Sequence, residues 1–358
     1  MKLLDRYIIG KFLGTFFYAI ALIISIAIIF DFSEKVDDFI SKNAPIKAII
    51  FDYYLNFIPY FTNLFSPLFT FIAVVFFTSK MAYDTEIVAI LASGISFRRM
   101  LYPYMFSATV LLIMSLMLNN FIIPKSNDTR LEFENTYIRN AFYFAKRNVH
   151  RQIGPGQYIY IESYNNKSQV GYRFSLEQIE NGALVSKLSG DFLKWDTTRT
   201  KWVIENYAHR HINGTEQTLE TGVSIDTTLN FHPDEFGTRI SNVETMNYFE
   251  LNQFIDDEKF KGSDNVVYYE LEKHRRFSMP FATLILTLIG VSIASRKVRG
   301  GIGLHIGYGL LISFSYILFM QISNTFATNA GMSPMLASWI PNIIYFFLGI
   351  YLLKIAPK

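Results

Sequence analysis

Six stretches of the chain are apolar over a length that can cross a membrane, and this feature restricts the fold more than any other. A membrane-spanning helix needs about 20 predominantly apolar residues. None of the six stretches carries an Asp, Glu, Lys or Arg at its centre. The sequence therefore predicts a polytopic α-helical membrane protein, with three spans before and three after a long polar segment. The predicted spans are approximately residues 12–32, 57–78, 101–123, 277–295, 304–327 and 334–353.

The charges of the connecting loops predict the orientation of the spans. Cytoplasmic loops of membrane proteins are enriched in Lys and Arg. Loops 79–100 and 296–303 are basic, as are both ends of the chain, whereas loop 33–50 has mixed charge and loop 328–333 has none. We therefore expect both termini in the cytoplasm and the central segment outside. The basic residues concerned are Lys2, Arg6, Lys11, Lys80, Arg98, Arg99, Arg296, Lys297, Arg299, Lys354 and Lys358.

The segment between the third and fourth spans is predicted to be an all-β extracytoplasmic domain. Residues 126–147 first favour a helix that continues the third span. Short alternating stretches then follow, with Asn-Gly pairs at 181–182 and 213–214 that are typical of tight turns, which predicts an antiparallel sandwich or barrel. Residues 245–260 favour a short helix that leads back to the membrane. The predicted domains are 1–123 with spans one to three, 124–276 outside, and 277–358 with spans four to six.

Several classes of function are disfavoured by residues that the sequence lacks. There is no Cys, which excludes disulfides, thiolate metal sites and cysteine nucleophiles. The net charge is only +3 without a basic run, so no nucleic-acid partner is expected. The chain has no G-x-x-x-x-G-K-[ST] loop for a nucleotide. Ion-driven transporters and intramembrane enzymes both need ionisable groups at membrane depth, and the spans lack them.

Two histidines are the only candidate for a metal site. On a strand His209 and His211 would point to the same face. Zinc needs at least three protein ligands, and no third ligand lies at a useful spacing. Solvated strand residues are therefore favoured, and neither a metal nor a cofactor is expected.

The loop between the second and third spans contains a predicted amphipathic helix at about 84–94. Asp84 or Thr85 can cap its start, Glu86 lies in its first turn, and Gly94 can end it. The apolar face either rests on the lipid boundary or fills a groove on a cytoplasmic protein. The residues alone leave both alternatives open. That face consists of Ile87, Ile90 and Leu91.

Four short segments resemble a known family in their order along the chain. They are "LDRYIIGK" at 4–11, "TEIVAILASGIS" at 85–96, "QYIYIES" at 157–163 and "PDEFG" at 233–237. Together with the three-plus-three topology, they resemble the LptF/LptG permeases, which export lipopolysaccharide. The start of the chain is more similar to LptG than to LptF.

The resemblance implies a multi-pass permease of the bacterial inner membrane with a jelly-roll-like periplasmic domain and no catalytic residues. It also implies a paralogous LptF-type subunit, an LptB-type ATPase dimer beneath the membrane, and the bridge proteins LptC and LptA, to which lipopolysaccharide passes. In such a permease Glu86 would contact the ATPase, with Ala92, Ser93 and Gly94 allowing close packing. The alternative function is a membrane sensor or scaffold that transmits extracytoplasmic binding to a cytoplasmic partner.

The resemblance also implies cationic residues that contact the lipid phosphates outside the membrane. The candidates are Lys35, Lys42 and Arg130. LptG has a lysine near the outer end of the first span, where this chain has Asp31, so the exact lipid contacts depart from the family pattern.

Overall fold

The computed structural model describes residues 3–139, 147–237, 240–296 and 301–356. The chain divides into two compact units. The helical unit contains the described residues up to Arg139, Val243–Leu251 and those from Val267 onwards, and the sheet unit contains the rest. Lys2, Lys297, Arg299 and Lys358, which contribute to the predicted orientation, lie outside the described residues.

Six long helical segments confirm the predicted spans. By length and composition each is able to cross a membrane, and each extends beyond the apolar stretch that predicted it. The helices are α1 (Leu3–Ser41), α2 (Ile46–Ala48), α3 (Leu55–Tyr83), α4 (Glu86–Ala92), α5 (Phe97–Met117), α6 (Ile123–Tyr137), α7 (Asp234–Gly237), α8 (Tyr248–Phe260), α9 (Val266–Ala294), α10 (Gly301–Ala330) and α11 (Pro334–Ile355). The spanning segments are α1, α2–α3, α5–α6, α9, α10 and α11.

Two of the spanning segments contain π-helical turns. Residues Ile49–Tyr54 join α2 to α3, and residues Leu118–Ile122 join α5 to α6. A π-helical turn adds a residue to the helical repeat and is common at functional sites. Here each turn lies where the apolar sequence gives way to polar residues.

The spans differ widely in how far they are buried within the helical unit. In the most apolar part of α9, 72% of the residues are buried, against 22% for α1 and α10. Close packing against α3 is possible because a Cβ at Gly290 would lie 3.0 Å from Val74 and 3.1 Å from Phe71. The α3–α9 pair therefore forms the centre of this unit, while most of the surface of α1 and α10 is not covered by the rest of the unit.

The central segment is all-β, as predicted, and forms one antiparallel sheet. Its six strands are neighbours in chain order. A jelly roll requires crossed connections between two sheets, so this strand order differs from the jelly-roll-like fold that the resemblance implies. Each connection has only two to four residues, so consecutive strands must pair with one another. The strands are β1 (Arg147–Gly154), β2 (Gln157–Asn165), β3 (Val170–Glu180), β4 (Ala183–Asp196), β5 (Lys201–Asn213) and β6 (Glu216–Thr227).

The Asn-Gly turns and the core explain the register of the sheet. Asn181 and Gly182 both have positive φ, at 50° and 79°, as a two-residue hairpin turn requires. Alternate residues of the strands form the core, whose largest member is the fully buried Trp202. Its indole N–H donates to the Phe231 carbonyl at 3.0 Å, which holds the segment after β6 over the buried face.

The helices that flank the sheet in sequence differ from expectation in one case. The helix predicted over 126–147 ends at Tyr137, where the Arg139 amide turns back to the Glu134 carbonyl at 2.6 Å. Residues 140–146 lie outside the described residues, and Arg147 already belongs to β1. The helix predicted over 245–260 is present as α8, and Asn247 and Glu250 form a reciprocal capping box at its start.

Candidate functional site

The short helix α4 has the predicted position but a different cap. Thr85 occupies the N-cap position with a left-handed φ of 64°, and no side chain caps the helix. The Thr85 hydroxyl instead donates to the Asp84 carbonyl at 2.6 Å. Gly94 ends the helix as expected, with φ of 85°. Both ends of α4 are thus turns that contain one left-handed residue.

The apolar face of α4 packs against the chain itself. Ile87 is only 1% exposed, and Ile90 and Leu91 pack against the same core cluster. Ile87 is therefore covered by the chain's own core, while Ile90 and Leu91 are partly exposed at the edge of that core. The opposite side is exposed and consists mostly of small residues. We call it the α4 surface, formed by Val88, Ala89, Ala92, Ser93 and Gly94.

Glu86 lies at the edge of the α4 surface and is held by the first span. The Tyr7 hydroxyl donates to its two carboxylate oxygens at 3.0 and 3.3 Å. Beside it, Arg99 donates to both oxygens of Asp5 at 2.6 and 2.7 Å. The start of α1 is thus bound to α4 through Tyr7 and Glu86, and to α5 through Asp5 and Arg99.

A large apolar groove lies at the C-terminal end of α1. Its volume is about 900 Å³, and its walls come from α1 and from the segment that leads into α3. Apart from a few polar atoms the lining is aliphatic and aromatic, which suits hydrocarbon chains. We call it the α1–α2 groove; it is lined by Ile28, Ile29, Phe32, Ser33, Val36, Phe39, Ile40, Asn43, Ala44, Ile46, Ile49, Ile50 and Tyr54.

Lys35 lies next to this groove and is paired with Asp31. The two side chains form an ion pair at 2.6 Å, and Lys35 also donates to the Tyr53 hydroxyl. The hydroxyls of Tyr53 and Tyr54 donate to Asp31 at 2.9 and 3.2 Å. Asp31, the acid that departs from the family pattern, is therefore the counter-ion of Lys35, the predicted lipid-binding lysine.

The other two predicted lipid-binding cations have separate surroundings. Lys42 is exposed, next to Asn43 in the groove lining, and donates to the Arg139 carbonyl at 3.1 Å. Arg130 is buried and paired with Glu134 at 2.5 Å. Lys42 is thus accessible to an anion, while the charge of Arg130 is already compensated within the protein.

A polar network at the N-terminal end of α9 was not predicted from the sequence. Glu272 pairs with Arg275 at 2.6 Å and with Arg276 at 3.1 Å. Arg276 also donates to the carbonyls of Val243 and Met246 at 2.8 and 2.7 Å. The dense charges of "KHRRF" at 273–277, directly before an apolar stretch, were the available signal.

Glu244 and His209, which lie outside the spans, have shifted pKa values. Burial raises the pKa of the Glu244 carboxyl, and the nearby charge of Glu272 raises it further. Burial and the neighbouring His211 lower the pKa of His209, whose Nε2 lies 2.9 Å from the Ser186 hydroxyl. In the described part of the chain, no group of three or more His, Cys, Asp or Glu residues is arranged for a metal ion.

One protein family matches nearly the whole length of the chain. The family model described as "Lipopolysaccharide export system permease LptF/LptG" matches residues 6–355. This range includes all six spans, α4 and the sheet. No curated protein matches the chain in a sequence comparison.

Proposed function

We propose that this chain, which belongs to the LptF/LptG family of lipopolysaccharide export permeases, is a transmembrane subunit of an ABC-type exporter. The family and the six spans make it a multi-pass inner-membrane protein. In the proposed function it takes lipopolysaccharide out of the membrane and passes it to the periplasmic bridge proteins LptC and LptA. The observation that carries the proposal is the family match over residues 6–355.

The α1–α2 groove supports binding of the lipid. Its apolar lining and volume of about 900 Å³ suit acyl chains, and two lysines lie at or near its edge. Phosphate groups form strong, charge-assisted hydrogen bonds with such cations. Lys42 is free to contact a phosphate from solvent, while Lys35 requires the phosphate to join or displace Asp31. Lys42 is therefore the first contact in this proposal, and Arg130 has a structural role.

The α4 surface supports docking of an ATPase. The chain has no nucleotide-binding loop of its own, so the energy must come from a partner, proposed as an LptB-type dimer. Small exposed residues at 88–94 let a partner approach the helix backbone closely. Glu86 is the proposed charged contact. Because an ionised carboxylate accepts about four hydrogen bonds, it can bind a partner arginine while it keeps the Tyr7 hydroxyl.

The proposed orientation places α4 in the cytoplasm and the sheet in the periplasm. Since the chain has no Cys, single cysteines can report it without background. We expect a membrane-impermeant thiol reagent to label Asn213→Cys in cells with a permeabilised outer membrane. Ser93→Cys should be labelled only after the inner membrane is opened. Labelling of both positions from the same side would contradict the topology.

The transport function is testable by reconstitution. Vesicles would contain the chain, its LptF-type paralogue, the LptB-type ATPase of the same organism and purified lipopolysaccharide. We expect ATP-dependent release of lipopolysaccharide to a soluble LptA-type acceptor, and no ATP hydrolysis by the chain alone. An ATPase that binds without lipid release would favour the sensor or scaffold, and robust hydrolysis by the isolated chain would reject the partner model.

A further inference from the structure

We propose that Tyr7 and Asp5 are positioning residues: Tyr7 fastens the cytoplasmic end of α1 to α4, and Asp5 fastens it to the start of α5, the helix that follows α4. Movement of α4 is then carried along α1 to the α1–α2 groove at its other end. This inference rests on the proposed function, in which an ATPase moves α4. It adds the route by which that movement reaches the lipid.

Both backbone connections of α4 are turns that contain one left-handed residue. Thr85 and Gly94, at its two ends, both have left-handed φ values, 64° and 85°, and neither turn continues a helix. Such turns absorb changes in dihedral angle more readily than helical residues do. Side-chain contacts with other helices therefore contribute to the position of α4.

Two residues of α1 bind α4 and the start of the next helix, α5. Tyr7 binds Glu86 of α4, and Asp5 binds Arg99 of α5. Asp5 is only 3% exposed and receives both guanidinium bonds of Arg99, at 2.6 and 2.7 Å. A bidentate pair fixes orientation as well as distance. Tyr7, half a helical turn further on, donates to Glu86 at 3.0 Å. The same helix end buries its apolar side chains with those of α4 and α5, in the cluster that includes Ile8, Phe12, Ile87 and Met100.

The length and regularity of α1 make it suited to carry a displacement. Its 39 residues are a single α-helix without proline, which at about 1.5 Å per residue spans about 58 Å. The paths through α3 and α5 are less regular, because each contains proline and each adjoins a π-helical segment. The far end of α1 carries Lys35 and one wall of the groove. A rigid α1 would therefore change the groove when α4 moves.

Removal of the Tyr7 hydroxyl can distinguish the positioning role of Tyr7 from docking of the ATPase. The hydroxyl contacts Glu86 but not the α4 surface, and the ring is 41% exposed. Tyr7→Phe removes one hydrogen bond and retains the packing of the ring, so the fold should survive. A residue with only a structural role would change stability without changing how much lipid is moved for each ATP.

The test measures lipopolysaccharide released per ATP hydrolysed in the reconstituted complex described above. For Tyr7→Phe we expect the ATPase to co-purify normally and the ratio to fall by about threefold or more, since a hydrogen bond to a charged group is lost but solvent partly replaces it. Asp5→Asn, which weakens the buried pair with Arg99, should lower the ratio further. The matched control is Tyr18→Phe on the same helix, whose side chain is 72% exposed.

The outcomes distinguish this inference from the proposed function. A wild-type ratio in Tyr7→Phe would overturn the inference, as would loss of the ATPase from Tyr7→Phe, which would place the hydroxyl in docking instead. If Asp5→Asn does not fold, Tyr7→Phe alone decides. If the wild-type chain neither binds the ATPase nor releases lipid, the proposed function fails independently of both variants.

Discussion

Glu86→Lys is expected to abolish co-purification of the LptB-type ATPase while the chain remains folded. Truncating one member of a hydrogen-bonded charge pair at an interface costs about 2–5 kcal/mol, and a reversed charge should cost at least as much. Each 1.4 kcal/mol corresponds to about a tenfold change in affinity. The lysine would also lose the bond from Tyr7, but its long side chain can reach solvent at this half-buried position.

The measurement is ATPase co-purification and lipid release for Glu86→Lys, with Glu86→Gln beside it. The glutamine still accepts from Tyr7 and should lose only part of the binding. The matched control is Glu216→Lys, an exposed acid at the start of β6, which should behave as wild type. Unchanged co-purification in Glu86→Lys would show that Glu86 is not the docking contact. Recovery by an Arg→Glu change in the ATPase would identify the opposing residue.

The spans were predictable because the membrane leaves few alternatives. Long apolar stretches must form helices that satisfy their own backbone groups, so length and composition are sufficient. The turns at Asn181 and Gly182 were equally predictable, since that pair favours the positive φ values that a hairpin needs. The order of the strands was not predicted, although the two- to four-residue connections already favour neighbours in sequence.

The surroundings of the candidate residues were less predictable. The amphipathic pattern of α4 shows that Ile87 is covered, but the pattern is the same whether lipid, a partner or the chain's own core covers it. The pair of Lys35 and Asp31 follows from helical spacing, whereas the hydroxyls of Tyr53 and Tyr54 come from the next helical segment. Arg130 and Glu134 have the same four-residue spacing, so that pair was visible in the sequence.

The network around Arg276 could not be derived from the sequence, because its main partners are backbone carbonyls about 30 residues earlier. Side-chain patterns contain no signal for a bond to a carbonyl oxygen. The structure shows that this arginine joins α9 to the connector that precedes α8. The role of Arg276 therefore depends on tertiary structure, and it has a measurable consequence for stability.

Arg276→Ala is expected to cause a large loss of stability in the helical unit. Arg276 is 4% exposed, and its removal leaves the carbonyls of Val243 and Met246 without their donor. It also removes one of the two cations beside Glu272. Breaking a buried ion pair by removing one partner costs about 3–5 kcal/mol, because the remaining charge stays buried.

The thermal unfolding midpoint of the detergent-solubilised protein measures this loss. Arg276→Ala should lower it by several degrees, and Arg276→Lys should recover only part, since an ammonium group cannot reproduce the fork of the guanidinium. Lys273→Ala is the matched control. Lys273 is a cation on the same helix, and its side chain forms no hydrogen bond or ion pair with the described part of the chain. A midpoint for Arg276→Ala equal to that of Lys273→Ala would show that the bonds of Arg276 to the connector contribute nothing to the stability of the unit.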